Sequence, residues 1–309
     1  MPGTKSSIKK SVSRFFKWDT KDGSEASGSK DESKVSKDDS KAPEDDTKDS
    51  NSDQKQVFSE EEAEGLSTLT ILSGNMEQKV WEMAGTLWKK AKEIRNKPPI
   101  DWLPYLENQF ITQKEFAFIN AFQFAQTKNE RDLTLSYFKD LSYQTIVNVV
   151  NSVCVVEEIE QFLVLVDDIL AEDLRKAETF SNAVLEPWKA FYHLLRCSND
   201  FVCNIASRII TKLIVGSKSK RPPANEVEFF MEWLKDEMNE DNDYLQSVAR
   251  CLQRLLQVDE YRLAFMKLSG VRQIIKLLAC EINYQAQYQF CFCLWVTTFN
   301  SQLTEELKR

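Results

Sequence analysis

The stretches that decide the fold are FLVLVDDIL at residues 162–170, IASRIITKL at 205–213, VARCLQRLL at 248–256 and YQFCFCLWV at 288–296. Their first residues lie 43, 43 and 40 positions apart. A second series interleaves with the first: WKAFYHLLR at 188–196, FMEWLKDEM at 230–238 and RQIIKLLAC at 272–280, each 42 residues from the last. Apolar residues recur within these stretches at helical steps. A helix that returns every 40-odd residues cannot bury its apolar face alone and must stack on its neighbours. The spacing predicts paired helices packed in series, a scaffold that works by presenting surface.

This period is that of HEAT and armadillo arrays, so the expected fold is all-α and HEAT/armadillo-like. The chain has only eight Gly and eight Pro and no alternating β-branched runs, which argues against a sheet. Working outward, a first helix is predicted over 76–96, where Val80, Met83, Ala84, Leu87, Trp88, Ala91 and Ile94 form one stripe. Pro98 and Pro99 end it, and IDWLPYLENQ at 100–109 reads as an aromatic connector. Residues 111–125 are helical in pattern, with Thr112 as N-cap and Glu115 in the capping-box position. Further helices are expected over 130–141 and 145–156. Gly216 and KSKRPP at 218–223 separate one unit from the next, and Gly270 marks a helix start.

Composition divides the chain. Residues 1–60 carry 12 Lys/Arg, 13 Asp/Glu, many Ser and no Cys, too little apolar surface to offset the entropy of ordering. The expected organisation is a mixed-charge, disordered tail over 1–65 and a helical repeat domain over 66–309. Beyond residue 60 remain 28 basic and 35 acidic residues, a balance that disfavours a nucleic-acid or anionic-membrane surface. In the first 18 residues five Lys/Arg precede Asp19, and Phe15, Phe16 and Trp18 close the stretch. That pattern fits a solvated tail tip, a transit peptide or a surface-binding amphipathic helix, with the apolar cluster at one end favouring the tip; Pro2 excludes the myristoylation pattern. No export signal or spanning run is visible, so the seven cysteines are expected to be reduced, buried thiols in a cytoplasmic protein.

The catalytic templates are thin. His193 is the single histidine, which leaves no multi-histidine metal site and one residue for any Ser-His or Cys-His pair. His193 and Cys197 share a helix face, and the expectation is a packed helix residue beside a core thiol. The glycines never fall as GxGxxG or GxxxxGK[ST]. Asp167 and Asp168 are neighbours that point in different directions on a helix, and a solvated edge is expected. The reading is no enzyme, no cofactor and no metal.

One constellation remains. Arg208 and Lys212 are an i,i+4 pair on one repeat helix, Arg250 and Arg254 the same pair on the next, so stacking aligns four cations into a strip. In an acidic domain such a strip is either a contact for an acidic partner or a solvated face paired with local carboxylates.

Five stretches carry a family resemblance: AKEIRNKPPIDWLPYLENQFIT at 91–112, VLVDDIL at 164–170, ASRIITKL at 206–213, VARCLQRLLQVDEYRLAFMKLSGV at 248–271 and QYQFCFCLWVTTFNSQ at 287–302. In order and spacing they resemble the H-subunit family of the vacuolar-type proton-pumping ATPase over residues 81–309. The resemblance implies a right-handed superhelix of HEAT/armadillo-like helices and a cytosolic, non-catalytic regulatory subunit of the ATP-hydrolysing sector. It implies as partners the peripheral stalk and the catalytic and membrane sectors, with a part in proton pumping and in silencing hydrolysis. Family members continue past this match into a C-terminal domain implicated in silencing, so the chain is expected to be a fragment, a shortened paralogue, or a form whose end another protein covers. The competing reading is a general armadillo adaptor, such as an import carrier for basic peptides, although none of the seven Trp is followed by Asn four positions on.

Overall fold

Apolar stripes and local caps together set the helices of this protein. A computed structural model describes residues 85–300, all within one unit, Trp81–Arg309. The expected tail over 1–65 and the start of the first predicted helix lie outside the described residues. Among the described residues the regular elements are all helical. In chain order they are α1 (Thr86–Arg95), α2 (Leu103–Glu107), α3 (Gln113–Gln123), α4 (Lys128–Phe138), α5 (Asp140–Ser152), α6 (Val156–Glu172) and α7 (Arg175–Ala183). Then come α8 (Lys189–Tyr192), α9 (Asp200–Gly216), α10 (Ala224–Asp236), α11 (Leu245–Leu255), α12 (Asp259–Lys267), α13 (Gly270–Leu278) and α14 (Tyr284–Thr297).

Local sequence sets many of the boundaries. The Thr112 hydroxyl accepts from the Glu115 amide at 3.3 Å while the Glu115 carboxylate accepts from the Thr112 amide at 2.7 Å. This reciprocal pair satisfies two otherwise orphaned donors at the start of α3. Thr127 and Glu130 do the same for α4, and Asn199 caps α9 through the Val202 amide. Gly270 opens α13 as expected, and packing dictates its identity: a Cβ there would overlap the Phe265 ring.

The four apolar segments of the opening series fall on α6, α9, α11 and α14, and these helices pack in that order, each on the next, with α1 against α6 and α9. α9 is apolar on nearly every side because α6, α7, α8 and α11 surround it, the condition under which an all-round apolar helix is stable in water. Phe162, Ile209, Leu252 and Phe290 are each at most 1% exposed along this row. Polar ties between successive units repeat the same spacing. The Trp233 indole donates to the Leu195 carbonyl, 38 residues back, and the Asn199 amide side chain to Glu160, 39 back. The Cys293 thiol reaches the Ala249 carbonyl, 44 back.

Several expectations are corrected. The predicted helix over 188–196 is one α turn, α8, followed by a 3-10 turn over His193–Arg196; Cys197 is already extended and Asn199 starts α9, leaving the segment too short to continue. The predicted helix over 145–156 splits at Val153, which is extended, so that α5 ends at Ser152 and Val156 begins α6. Helices α7 and α12 add to those the sequence pattern predicts. Of the seven cysteines, all free, Cys203, Cys251 and Cys293 are buried, but Cys154 and Cys291 are exposed and Cys197 and Cys280 lie between. α14 shows why: Cys291 and Cys293, two apart, sit about 200° apart around the axis, and only Cys293 faces α11.

Candidate functional site

The predicted strip becomes a cleft between α9 and α11. Arg208 of α9 and Arg250 and Arg254 of α11 line it together, and the Arg254 charge also acts on Lys212. Ser207 and Cys251, with side chains 3.9 Å apart, fix the register of the two helices. Arg208, Thr211, Ser247, Arg250, Cys251 and Arg254 line a narrow cleft with room for about one water molecule. Toward α1 and α14 it adjoins a second, shallow opening that adds Thr86, Trp88, Asp243 and Gln289.

Lys212 is not on the surface. It is 1% exposed, and its Nζ donates to the Asp167 carboxylate at 2.6 Å and to the Asp167 carbonyl at 2.9 Å. Arg208 reaches the same carboxylate, Nε to Oδ2, at 3.1 Å. Burial pushes the Asp167 carboxyl up, but Arg208 and Lys212 together outweigh it and hold it below the usual carboxylate value. For Lys212 burial wins: despite the pull of Asp167, and helped by the charges of Arg208 and Arg254, its ammonium is brought down to about 8.

The solvated edge expected at Asp167 and Asp168 is therefore wrong. Asp167 is buried under α9, while Asp168 takes a two-point contact from Arg95 on α1, 2.6 and 2.9 Å. The adjacent carboxylates diverge as neighbours on a helix must, but α6 is covered on both sides, so each finds a basic partner from a different helix. Sequence reasoning also missed Thr211 and Ser247. For Asp167 a signal was present, since it precedes Arg208 and Lys212 by 41 and 45 residues, close to one repeat.

Arg250 donates to Gln253 within α11 at 2.6 Å. Arg208, Arg250 and Arg254 set three guanidiniums along the cleft, each with interactions of its own, and Asp243 lies at the margin of the adjoining opening. Chemically such a face attracts and orients anions. His193, by contrast, is exposed on the 3-10 turn and is no packed neighbour of a core thiol; the Cys203 thiol instead points to the Leu194 and Cys197 carbonyls. Among the described residues no group of three or more His, Cys, Asp or Glu is placed to hold a metal ion, and no helix is long and apolar enough to cross a membrane.

Among the described residues the fold defines an all-helical protein of serially stacked helices, with an arginine-lined cleft between α9 and α11. Residues 86–309 match the family model described as the V-ATPase H subunit, and the chain belongs to that family. It is 33% identical over 228 residues to the V-type proton ATPase H subunit of Drosophila melanogaster, covering 72% of this chain and 47% of the relative. It is 31% identical over 225 residues to a probable V-type proton ATPase H subunit of Caenorhabditis elegans, covering 70% and 47%. A more distant relative, the H subunit of Dictyostelium discoideum, is 24% identical over 214 residues, covering 66% and 47%. The chain spans about half the length of the curated relatives it matches.

Proposed function

We propose that this chain is a non-catalytic regulatory or assembly component of the ATP-hydrolysing sector of a vacuolar-type proton pump. It binds other pump subunits, the peripheral stalk first among them, from the cytoplasmic side of vacuolar and endosomal membranes, and so supports ATP-driven proton transport and organelle acidification. The observation that carries this reading is the family match over residues 86–309. The stacked row of α6, α9, α11 and α14 supports it, and in this reading the row belongs to a HEAT/armadillo-like right-handed superhelix. The cleft of Arg208, Arg250 and Arg254, backed by Lys212, is the contact for an acidic segment of a partner protein in the pump. The relatives lend no support to a general import-type adaptor.

Affinity purification of the full chain from cytosol and membranes tests the assignment. Recovery of peripheral-stalk and catalytic pump subunits is expected; recovery of import receptors in their place would overturn it. Charge reversal at Arg250 and Arg254, which leaves the buried Lys212 untouched, should reduce that recovery at least about tenfold if one hydrogen-bonded charge pair is lost. Unchanged recovery would remove the cleft from the interface.

A further inference from the structure

The loop between α9 and α10, SKSKRPP at residues 217–223, is a basic stretch that the proposed function leaves unused. It has no helical structure of its own, and α7 holds it in place. Gly216, at its start, is pressed against that helix: a Cβ there would meet the Ala177 Cβ at 2.6 Å and the Leu174 carbonyl oxygen at 3.0 Å. From that point a single carboxylate, Glu178 on α7, gathers the loop. It accepts from the Lys218 amide at 2.5 Å, from the Ser219 amide at 3.3 Å and from the hydroxyls of Ser219 and Ser217. The Ser219 hydroxyl foremost, then the two amides, hold the Glu178 carboxyl below its usual value. Lys220 adds a bond from its ammonium to the Ser181 carbonyl, and Arg221 reaches Glu260 on α12 at 2.9 Å. The loop thus ties α7 to α12, with Glu178 as its main fastening.

Ser217 is buried, but Ser219 is exposed, with Lys218 before it and Lys220 and Arg221 after it. An irregular, exposed segment opens readily enough to enter another enzyme's site, and the charge pattern around a serine is what protein kinases read. We propose that Ser219 is a phosphorylation site for a kinase that selects basic flanks, and that its modification opens the Glu178 clasp. In the step, Ser219 Oγ bonds to the γ-phosphorus of ATP while the bond from that phosphorus to the β,γ-bridging oxygen breaks. ADP leaves, and the hydroxyl proton passes to the kinase's base. The product exchanges a hydroxyl donor for a group of charge about −1.5 to −2, set directly against a carboxylate. Donation to Glu178 ends and repulsion replaces it. Lys218 and Arg221, both exposed on the same loop, are the cations to which the phosphoryl group turns. The loop then leaves α7, and the tie from α7 to α12 loosens.

Incubation of the full chain with magnesium, ATP and the catalytic domain of a kinase selective for basic flanks, followed by peptide mapping, tests the site. Ser219 is expected to be modified, and Ser219→Ala to lose that one phosphopeptide with an unchanged melting temperature. Modification confined to serines beside lysines elsewhere in the chain, such as Ser6 and Ser11, would overturn the proposal, as would no modification at all. Hydrogen exchange then reads the clasp. The Lys218 and Ser219 amides should exchange about three- to tenfold faster in the phosphorylated chain, the effect of losing one hydrogen bond. In Glu178→Gln, which keeps an acceptor but removes the repelling charge, phosphorylation should no longer change those rates. Equal acceleration in Glu178→Gln, or none in the native sequence, would overturn the clasp. Recovery of pump subunits from cells is read separately, so either result can fail without the other.

Discussion

Removing the Asp167 carboxylate is the most demanding test of how the repeats are joined. Asp167 is buried on α6 and faces two cations of α9, Lys212 Nζ at 2.6 Å and Arg208 Nε at 3.1 Å. At an effective dielectric of about 20 those separations correspond to gross attractions of about 6 and 5 kcal/mol, most of which offsets the cost of taking the three charges out of water. In Asp167→Ala that cost stays with Lys212 while the compensation is gone, so the expected loss is about 3–5 kcal/mol at pH 7. Lys212→Met removes the buried ammonium and leaves Asp167 with Arg208; its cost should stay below about 1.5 kcal/mol, near a volume-conserving change. In the double substitution the buried orphan is absent, so the two losses should not add, with a coupling of about 1–3 kcal/mol. Urea unfolding of the four proteins measures this. The sign with pH is also set: the folded Lys212 value, about 8, lies below its ordinary 10.5, so the unfolded chain binds more protons between these values and stability rises with pH across that window. Asp167 is held below 3.8, so its contribution is present above that value and disappears as pH falls through the folded one. A loss under about 1 kcal/mol for Asp167→Ala, or strict additivity, would refute the buried pair as a joint between units.

Other outcomes follow from packing. Gly270→Ala drives a methyl into the Phe265 ring and should cost about 1–3 kcal/mol through overpacking, lowering the melting temperature; an unchanged value would mean that α12 and α13 pack more loosely than this contact requires. In the native protein Cys154 and Cys291 should react with iodoacetamide rapidly, while Cys251 and Cys293, buried and with thiols pushed up by that burial, should react only as fast as the protein opens. Peptide mapping after timed alkylation reads this, and prompt labelling of Cys293 would contradict the α11–α14 packing.

Much of the fold was legible because each feature was local or periodic. Thr112 and Glu115 form a capping box through atoms three residues apart, so nothing distant is needed to predict it. The positions of α6, α9, α11 and α14 followed from an apolar pattern that recurs every 40-odd residues. The 188–196 segment failed for the opposite reason: its composition is helical, but the Asn199 cap of the following helix cuts it to one turn and a 3-10 tail. His193 was misplaced with it, since the expected packed face belonged to a longer helix than the one that forms.

The site divides in the same way. Sequence alone placed Arg208 and Lys212, and Arg250 and Arg254, on equivalent faces of successive helices, because helical spacing and the repeat together determine which residues align. It determined the all-helical class and the family as well. Only the tertiary structure decided that Lys212 turns inward to Asp167, that Arg208 reaches α6 while lining the cleft, and that Thr211 and Ser247 line that cleft from opposite helices. Whether a charge faces water or a carboxylate depends on which helix covers it, and that is a matter of space, not of chain order: Asp167 and Lys212 are 45 residues apart in sequence and meet at 2.6 Å.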